Sequence, residues 1–325
     1  MTVDVLIVSL GTTAGLRAAD ESLRASLARA GASVDLVRAS PVRGPRSLVF
    51  SDYALARAAA AGAAEAIDAR TPRALIYSTT TAALLWPRPG AIRFDATAAG
   101  NRPGRHGLWQ RPLERRRLRQ APLLVPWSKG GMAEAGARRP DDATLVVPVP
   151  VEPSGPLESE RDIAAITYGA NPAKKGLDRV LEAWARVRRD DELLVVAGTR
   201  EPIAATGVRS TGLLEPSEYR ALLRRARVFV CAPRREDYGL AQLEALADGC
   251  ALVTTASPGP YAALPIARAL DPRLVGDDLG AALRAALDEP ASDYGSRAAA
   301  ALAPFSRAAV DRLVAERLLP RLLEP

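Results

Sequence analysis

The chain has 325 residues, 48% of them hydrophobic, and a formal net charge of +7. That length is comfortable for two domains with ample core, no apolar run is long enough to span a bilayer, and no basic-then-apolar leader with a small-residue cleavage site opens the chain. The two cysteines, Cys231 and Cys250, make no disulfide framework and read as buried free thiols, so a cytoplasmic location is expected. The basic residues are almost all arginine; lysine occurs only at Lys129, Lys174 and Lys175. In that background an adjacent lysine pair is either chance or a compact cation placed for a phosphate.

In chain order, residues 3–10 read as a strand, Gly11 to Gly15 as a tight loop, residues 18–30 as a helix and 33–37 as a second strand. This is a βαβ unit with a glycine at its first crossover. Its loop is not the full dinucleotide fingerprint, so hydride transfer gains little support. Gly11 is a turn glycine or a place where backbone approaches a ligand. Residues 55–70 read as a helix, 74–78 as a strand ending in three threonines, and 90–95 as a strand that brings Asp95 to the same edge. Asp95 is either a cap or a ligand contact.

Residues 99–105 read as a loop leading to His106, the single histidine, which is either an exposed structural residue or a ligand contact. Arg111 to Arg119 reads as a solvated basic helix or as a surface for anionic lipid headgroups or another charged ligand. No aromatic side chains interleave with those arginines, which argues against nucleic acid. Residues 122–128 and 144–151 read as strands, and Glu152-Pro153-Ser154-Gly155-Pro156 as the linker.

The second half repeats the α/β pattern. Residues 162–168 form a strand, followed by a loop holding Lys174, Lys175 and Gly176, and a helix over 177–188. Residues 192–199 are a strand and turn ending at Thr199. A weak strand over 208–214 contains Gly212 and Leu213, and a helix is expected over 217–225. A buried strand over 226–233 precedes Glu236, Gly239 and Leu240. The helix carrying Glu244 closes at Gly249, and a further strand covers 251–255. Helices over 279–287 and 308–319 complete the chain. No His or carboxylate cluster has metal-ligand spacing.

The run Glu236, Gly239-Leu240, Glu244-Ala245-Leu246-Ala247-Asp248-Gly249 resembles the glutamate–seven residues–glutamate signature of retaining glycosyltransferases of the GT-B fold, family-four-like, glycosyl transferases group 1. The resemblance implies two Rossmann-like domains facing across a cleft: residues 1–153 with a returning helix at about 306–325 on the acceptor side, and residues 154–305 on the nucleotide-sugar side. It implies that Glu236 contacts the donor sugar, Glu244 the ribose, and Lys175, with Gly239 and Leu240, the diphosphate. Thr199, Gly212 and Leu213 are candidates for the base, Asp95 for the transferred sugar or the acceptor, Gly11 for the donor phosphates or the acceptor, and His106 for the acceptor. The family's diphosphate arginine is replaced by Ala170, which leaves two alternatives: Lys174 or Arg234 compensates, or donor affinity is weak. The expected function is retaining hexosyl transfer from a nucleotide-sugar to an unidentified acceptor, a cell-envelope lipid or glycan among the candidates. No cofactor or metal is needed, and peripheral contact with an anionic membrane goes through Arg111–Arg119. The alternative is a non-catalytic relative that binds a nucleotide or a partner.

Overall fold

The computed structural model describes residues 2–42, 48–137, 139–156 and 160–324. The chain divides into two compact units, Met1–Pro150 with Arg307–Pro325, and Val151–Ser306. Each is an α/β unit on a five-stranded sheet whose pairings are all parallel.

The first sheet comprises β1 (Val5–Ser9), β2 (Val34–Arg38), β3 (Ala74–Tyr77), β4 (Ala91–Phe94) and β5 (Leu124–Pro126), in the order β2-β1-β3-β4-β5. Its strands are apolar on both faces because helices cover both, as a parallel sheet requires. The period of two assigns the faces. Leu6, Val8, Leu75, Tyr77, Ile92 and Phe94 pack on one side with Ala59, Ala63 and Ala66 of the helix Leu48–Arg70. Val5, Ile7, Ala74 and Ile76 pack on the other with Leu23 and Leu27 of the helix Ala14–Arg29. Val310, Val314 and Leu318 join this second side, so the C-terminal helical segment completes the core of the first unit. Its turn at Val314–Leu318 is widened to a π turn just before Pro320, whose ring lacks the N–H a regular turn needs.

The second sheet comprises β6 (Ile163–Tyr168), β7 (Leu194–Ala197), β8 (Val208–Gly212), β9 (Ala226–Cys231) and β10 (Ala251–Thr254), in the order β10-β9-β6-β7-β8. In this order the chain moves outward from β6 in one direction, then returns to add β9 and β10 on the other side. The loops after β6 and β9 therefore diverge from neighbouring strand ends, which leaves a crevice at the C-terminal edge.

Several sequence expectations need correction. Residues 144–151 form no strand: Leu145 and Val147 donate to the carbonyls of Leu124 and Pro126, but only Thr144 registers as a bridge. Prolines at 148 and 150 remove the N–H groups a longer ladder needs. The expected loop over 99–105 holds the short helix Ala98–Asn101 and the start of a 3-10 turn, Gly104–Gly107. Two helices of eight or more residues went unforeseen, Ala263–Leu270 and Tyr294–Leu302. Pro265 reads as a breaker but sits in a first turn, where its missing N–H costs nothing. In Tyr294–Leu302 the buried stripe is only Tyr294, Ala298 and Leu302, too sparse for periodicity to show.

Candidate active site

The crevice of the second sheet lies between the loops after β6 and β9. Asn171, at φ 55°, caps the short helix Pro172–Lys175, its side chain accepting the Lys174 N–H. Gly176 follows at φ 62°, and a Cβ there would overlap the Ala232 carbonyl oxygen. Glycine is thus required where the two loops meet. The Arg234 N–H donates to the Lys174 carbonyl at 2.9 Å, which fastens one loop to the other.

Two ion pairs cross the crevice. Lys175 Nζ lies 2.7 Å from Glu236 Oε2, and Lys174 pairs with Asp237. Glu236 is buried, and the same Oε2 accepts a hydrogen bond from Gln242 Nε2 at 2.9 Å. Gln242 stands on the helix Leu240–Ala247, so the helix itself orients the carboxylate. Burial works against ionisation of Asp237, yet Lys174 and Arg235 beside it hold its carboxyl below the usual value. Arg234 is not directed at the crevice: its guanidinium donates to Asp178 at 2.6 and 2.9 Å and to the Ala173 carbonyl.

The loop after β10 braces Glu236 from behind. The Glu236 N–H donates to the Pro258 carbonyl at 3.0 Å, and the Glu236 carbonyl accepts from Tyr261. Gly259, at φ 113°, leaves no room for a Cβ against that carbonyl. Gly239, at φ 88°, turns the chain into the helix, and a Cβ there would lie 2.8 Å from the Tyr261 ring. The amides of Leu240 and its successors open the helix toward the same edge, where unpaired N–H groups and the positive dipole end suit an anion.

Glu244 lies one turn further along that helix, its side chain about a quarter exposed at 25%. Arg220 Nη1 is 3.7 Å from its Oε1. Burial pushes the Glu244 carboxyl up to about 7; Arg220 opposes the shift and Asp248 adds to it. Thr199 follows β7, buried, with its Oγ1 3.1 Å from Ser210 Oγ. Gly212 ends β8 at φ 74°, its carbonyl accepting the Gly198 N–H, and Leu213 beside it is exposed. The second unit thus gathers Lys174, Lys175, Glu236, Gly239 and Leu240 at one point, places Glu244 a turn away, and sets Thr199, Gly212 and Leu213 on the adjoining strand ends.

The remaining candidates belong to the first unit. Gly11, at φ 60°, follows β1, its N–H donating to Ser9 Oγ. Asp95 follows β4, one oxygen accepting the Ala96 N–H at 2.8 Å. His106 is exposed on the turn Gly104–Gly107. Sequence reasoning missed a buried cluster here. Asp20 accepts from Ser9 Oγ at 2.5 Å, Ser78 Oγ at 3.1 Å and Arg93 Nη1 at 3.3 Å, and so knits β1, β3 and β4 together. It also missed Gln242 and Asp237. The available signal was charge matching: two lysines in one loop face two adjacent carboxylates in the other. Among the described residues no three His, Cys, Asp or Glu side chains converge as a metal site.

Residues 163–288 match the family described as Glycosyl transferases group 1. A search of curated proteins finds no match. Among solved structures, the chain is similar to WaaG, a glycosyltransferase involved in lipopolysaccharide biosynthesis, at 15% identity and TM-score 0.68 over 99% of this chain and 100% of that one. Sucrose-phosphate synthase of Thermosynechococcus elongatus gives 14% identity and TM-score 0.75 over 97% and 98%. Anabaena HepE, solved in complex with UDP and glucose, gives 13% identity and TM-score 0.68 over 97% and 98%. The fold is therefore GT-B, with two Rossmann-like domains. The family match falls within the second unit.

Proposed function

We propose that the protein transfers a hexose, with retention, from a nucleoside-diphosphate sugar to a hydroxyl of a cell-envelope lipid or glycan. The observation that carries this reading is the Lys175–Glu236 pair at the strand-order reversal of the second sheet. The cation suited to the diphosphate and the carboxylate suited to the sugar are in direct contact, 2.7 Å apart, so that one bound donor would meet both. As the C1–O bond to phosphate breaks, negative charge grows on the diphosphate, where Lys175 and the amides at Gly239 and Leu240 stabilise it. The acceptor oxygen bonds to C1 on the same face, and its proton passes to the departing phosphate. Glu236 orients the sugar and favours the positive charge that develops on it. No step is assigned to a metal or cofactor.

The WaaG likeness supports an envelope acceptor. A cavity of about 550 Å³ in the first unit, lined by Arg111, Glu114, Arg115, Arg119 and Glu134, offers a place for an anionic one. Arg115, Arg116 and Arg119 are exposed on the same helix, and exposed Phe50, Tyr53 and Leu108 lie in this unit too. Basic and aromatic side chains of this kind support peripheral contact with an anionic membrane.

The test is release of nucleoside diphosphate from UDP-, GDP-, ADP- and TDP-sugars in the presence of envelope lipid extract. We expect one donor to be consumed, and Glu236→Gln to lower kcat/KM about 100-fold or more with the fold retained. Ala170 in place of an arginine favours one other reading, a nucleotide-binding protein without turnover. Donor binding with no release under any acceptor would select it.

A further inference from the structure

Glu244 is joined to the start of its own unit by one side chain. Arg220 lies on the helix Pro216–Arg225. Its Nε donates to Asp248 Oδ2 at 2.5 Å, its Nη2 to the Glu152 carbonyl at 2.7 Å, and its Nη1 lies 3.7 Å from Glu244 Oε1. Asp248 is fully buried, and its other oxygen accepts the Ser154 N–H at 2.8 Å. Glu152 and Ser154 are among the first residues of the second unit, just after the chain leaves the first at Pro150. A guanidinium can hold all three partners because its planar fork presents several donors in fixed directions.

We propose that Arg220 is the positioning residue for Glu244, setting its carboxylate for the donor's ribose and fastening it to the Glu152–Ser154 segment. This rests on the reading that Glu244 meets the ribose. The groups facing Glu244 support it. Asp248, from the end of the same helix, disfavours a second negative charge nearby. The phenols of Tyr168 and Tyr219, rings 5.3 Å apart, are both affected by the Glu244 charge. The Tyr219 hydroxyl is buried with no hydrogen-bond partner among the described residues. Arg220 is the cation that favours the ionised form, and an ionised carboxylate is what accepts two ribose hydroxyls.

The test is titration calorimetry of UDP, GDP, ADP and TDP against the wild type, Arg220→Gln, Arg220→Lys and Glu244→Gln between pH 6 and 9, with circular dichroism as the check on folding. For the nucleotide that binds, wild-type affinity should rise as pH passes about 7. Arg220→Gln should bind about tenfold weaker near pH 7, with the deficit shrinking as the pH is raised, because its pH midpoint moves up. Arg220→Lys keeps the cation and should return the midpoint to near the wild-type value while leaving affinity several-fold down. A deficit equal at every pH, with no recovery in the lysine variant, overturns this proposal alone. Binding unchanged in Glu244→Gln overturns the role of Glu244 and this proposal with it. No binding of any nucleotide to the wild type overturns the functional reading itself and removes the ground beneath this one.

Discussion

Glu236 and Glu244 stand on either side of one helix start, yet their surroundings differ in kind. Glu236 is buried against Lys175 Nζ at 2.7 Å and the Gln242 amide at 2.9 Å, so its charge is matched by direct contacts. Glu244 has its nearest cation at 3.7 Å and a second carboxylate, Asp248, close by. That difference has a stability consequence. The Glu244 carboxyl is raised from 4.5 to about 7, so between those values the folded chain holds a proton that the unfolded chain has released. Stability is thereby lost as pH rises through this window, and the loss is complete above it. Glu244→Gln removes the penalty. Measured by denaturant unfolding of the ligand-free protein, its stability relative to wild type should improve by about 3 kcal/mol on going from pH 4 to pH 8. A difference independent of pH would refute the assignment.

The elements that present these residues depend on close backbone approaches more than on side-chain contacts. The loop after β10 packs on the loop after β9 so closely that Gly259, at φ 113°, has the Glu236 carbonyl where a Cβ would be. Gly259→Ala adds both the overlap and the strain of a left-handed backbone, and should cost about 2–4 kcal/mol. Because the loop that moves carries Glu236, donor turnover should fall by more than the lost stability explains at a temperature where the variant stays folded. Thermal unfolding and kcat/KM on the same sample check this; full activity in a destabilised variant would show that the loop does not position Glu236. The sequence pattern displayed the strand–loop–helix–strand around Glu236 because β9 and β10 are short, mainly apolar runs and Gly249 closes the helix. It did not display Gly259's role, since the partner is backbone from residues more than twenty positions earlier and leaves no periodic trace. Gln242 was hidden for a related reason. Its amide serves Glu236 across one turn, and nothing in the order of residues separates it from an ordinary helical glutamine.

Across the whole molecule, both sheets were legible because nearly every strand is a short apolar block bounded by turn residues. The strand orders were not, because pairing is decided by which helix covers which face. The C-terminal helix illustrates the point: Val310, Val314 and Leu318 have helical spacing, but only the structure puts them beside Leu23 and Leu27. The lysine pair drew notice because lysine is rare here, yet its pairing with Glu236 and Asp237 emerged only when β6 and β9 became neighbours. That neighbouring pair of strands is the centre of the account. The most direct measurement is calorimetric binding of nucleoside diphosphates to the wild type and to Lys175→Ala. We expect one nucleotide to bind the wild type and Lys175→Ala to weaken it at least tenfold, with the loss concentrated in the diphosphate: the matching nucleoside monophosphate should lose much less. Equal binding by both proteins, or equal losses for mono- and diphosphate, would contradict a donor diphosphate seated between β6 and β9.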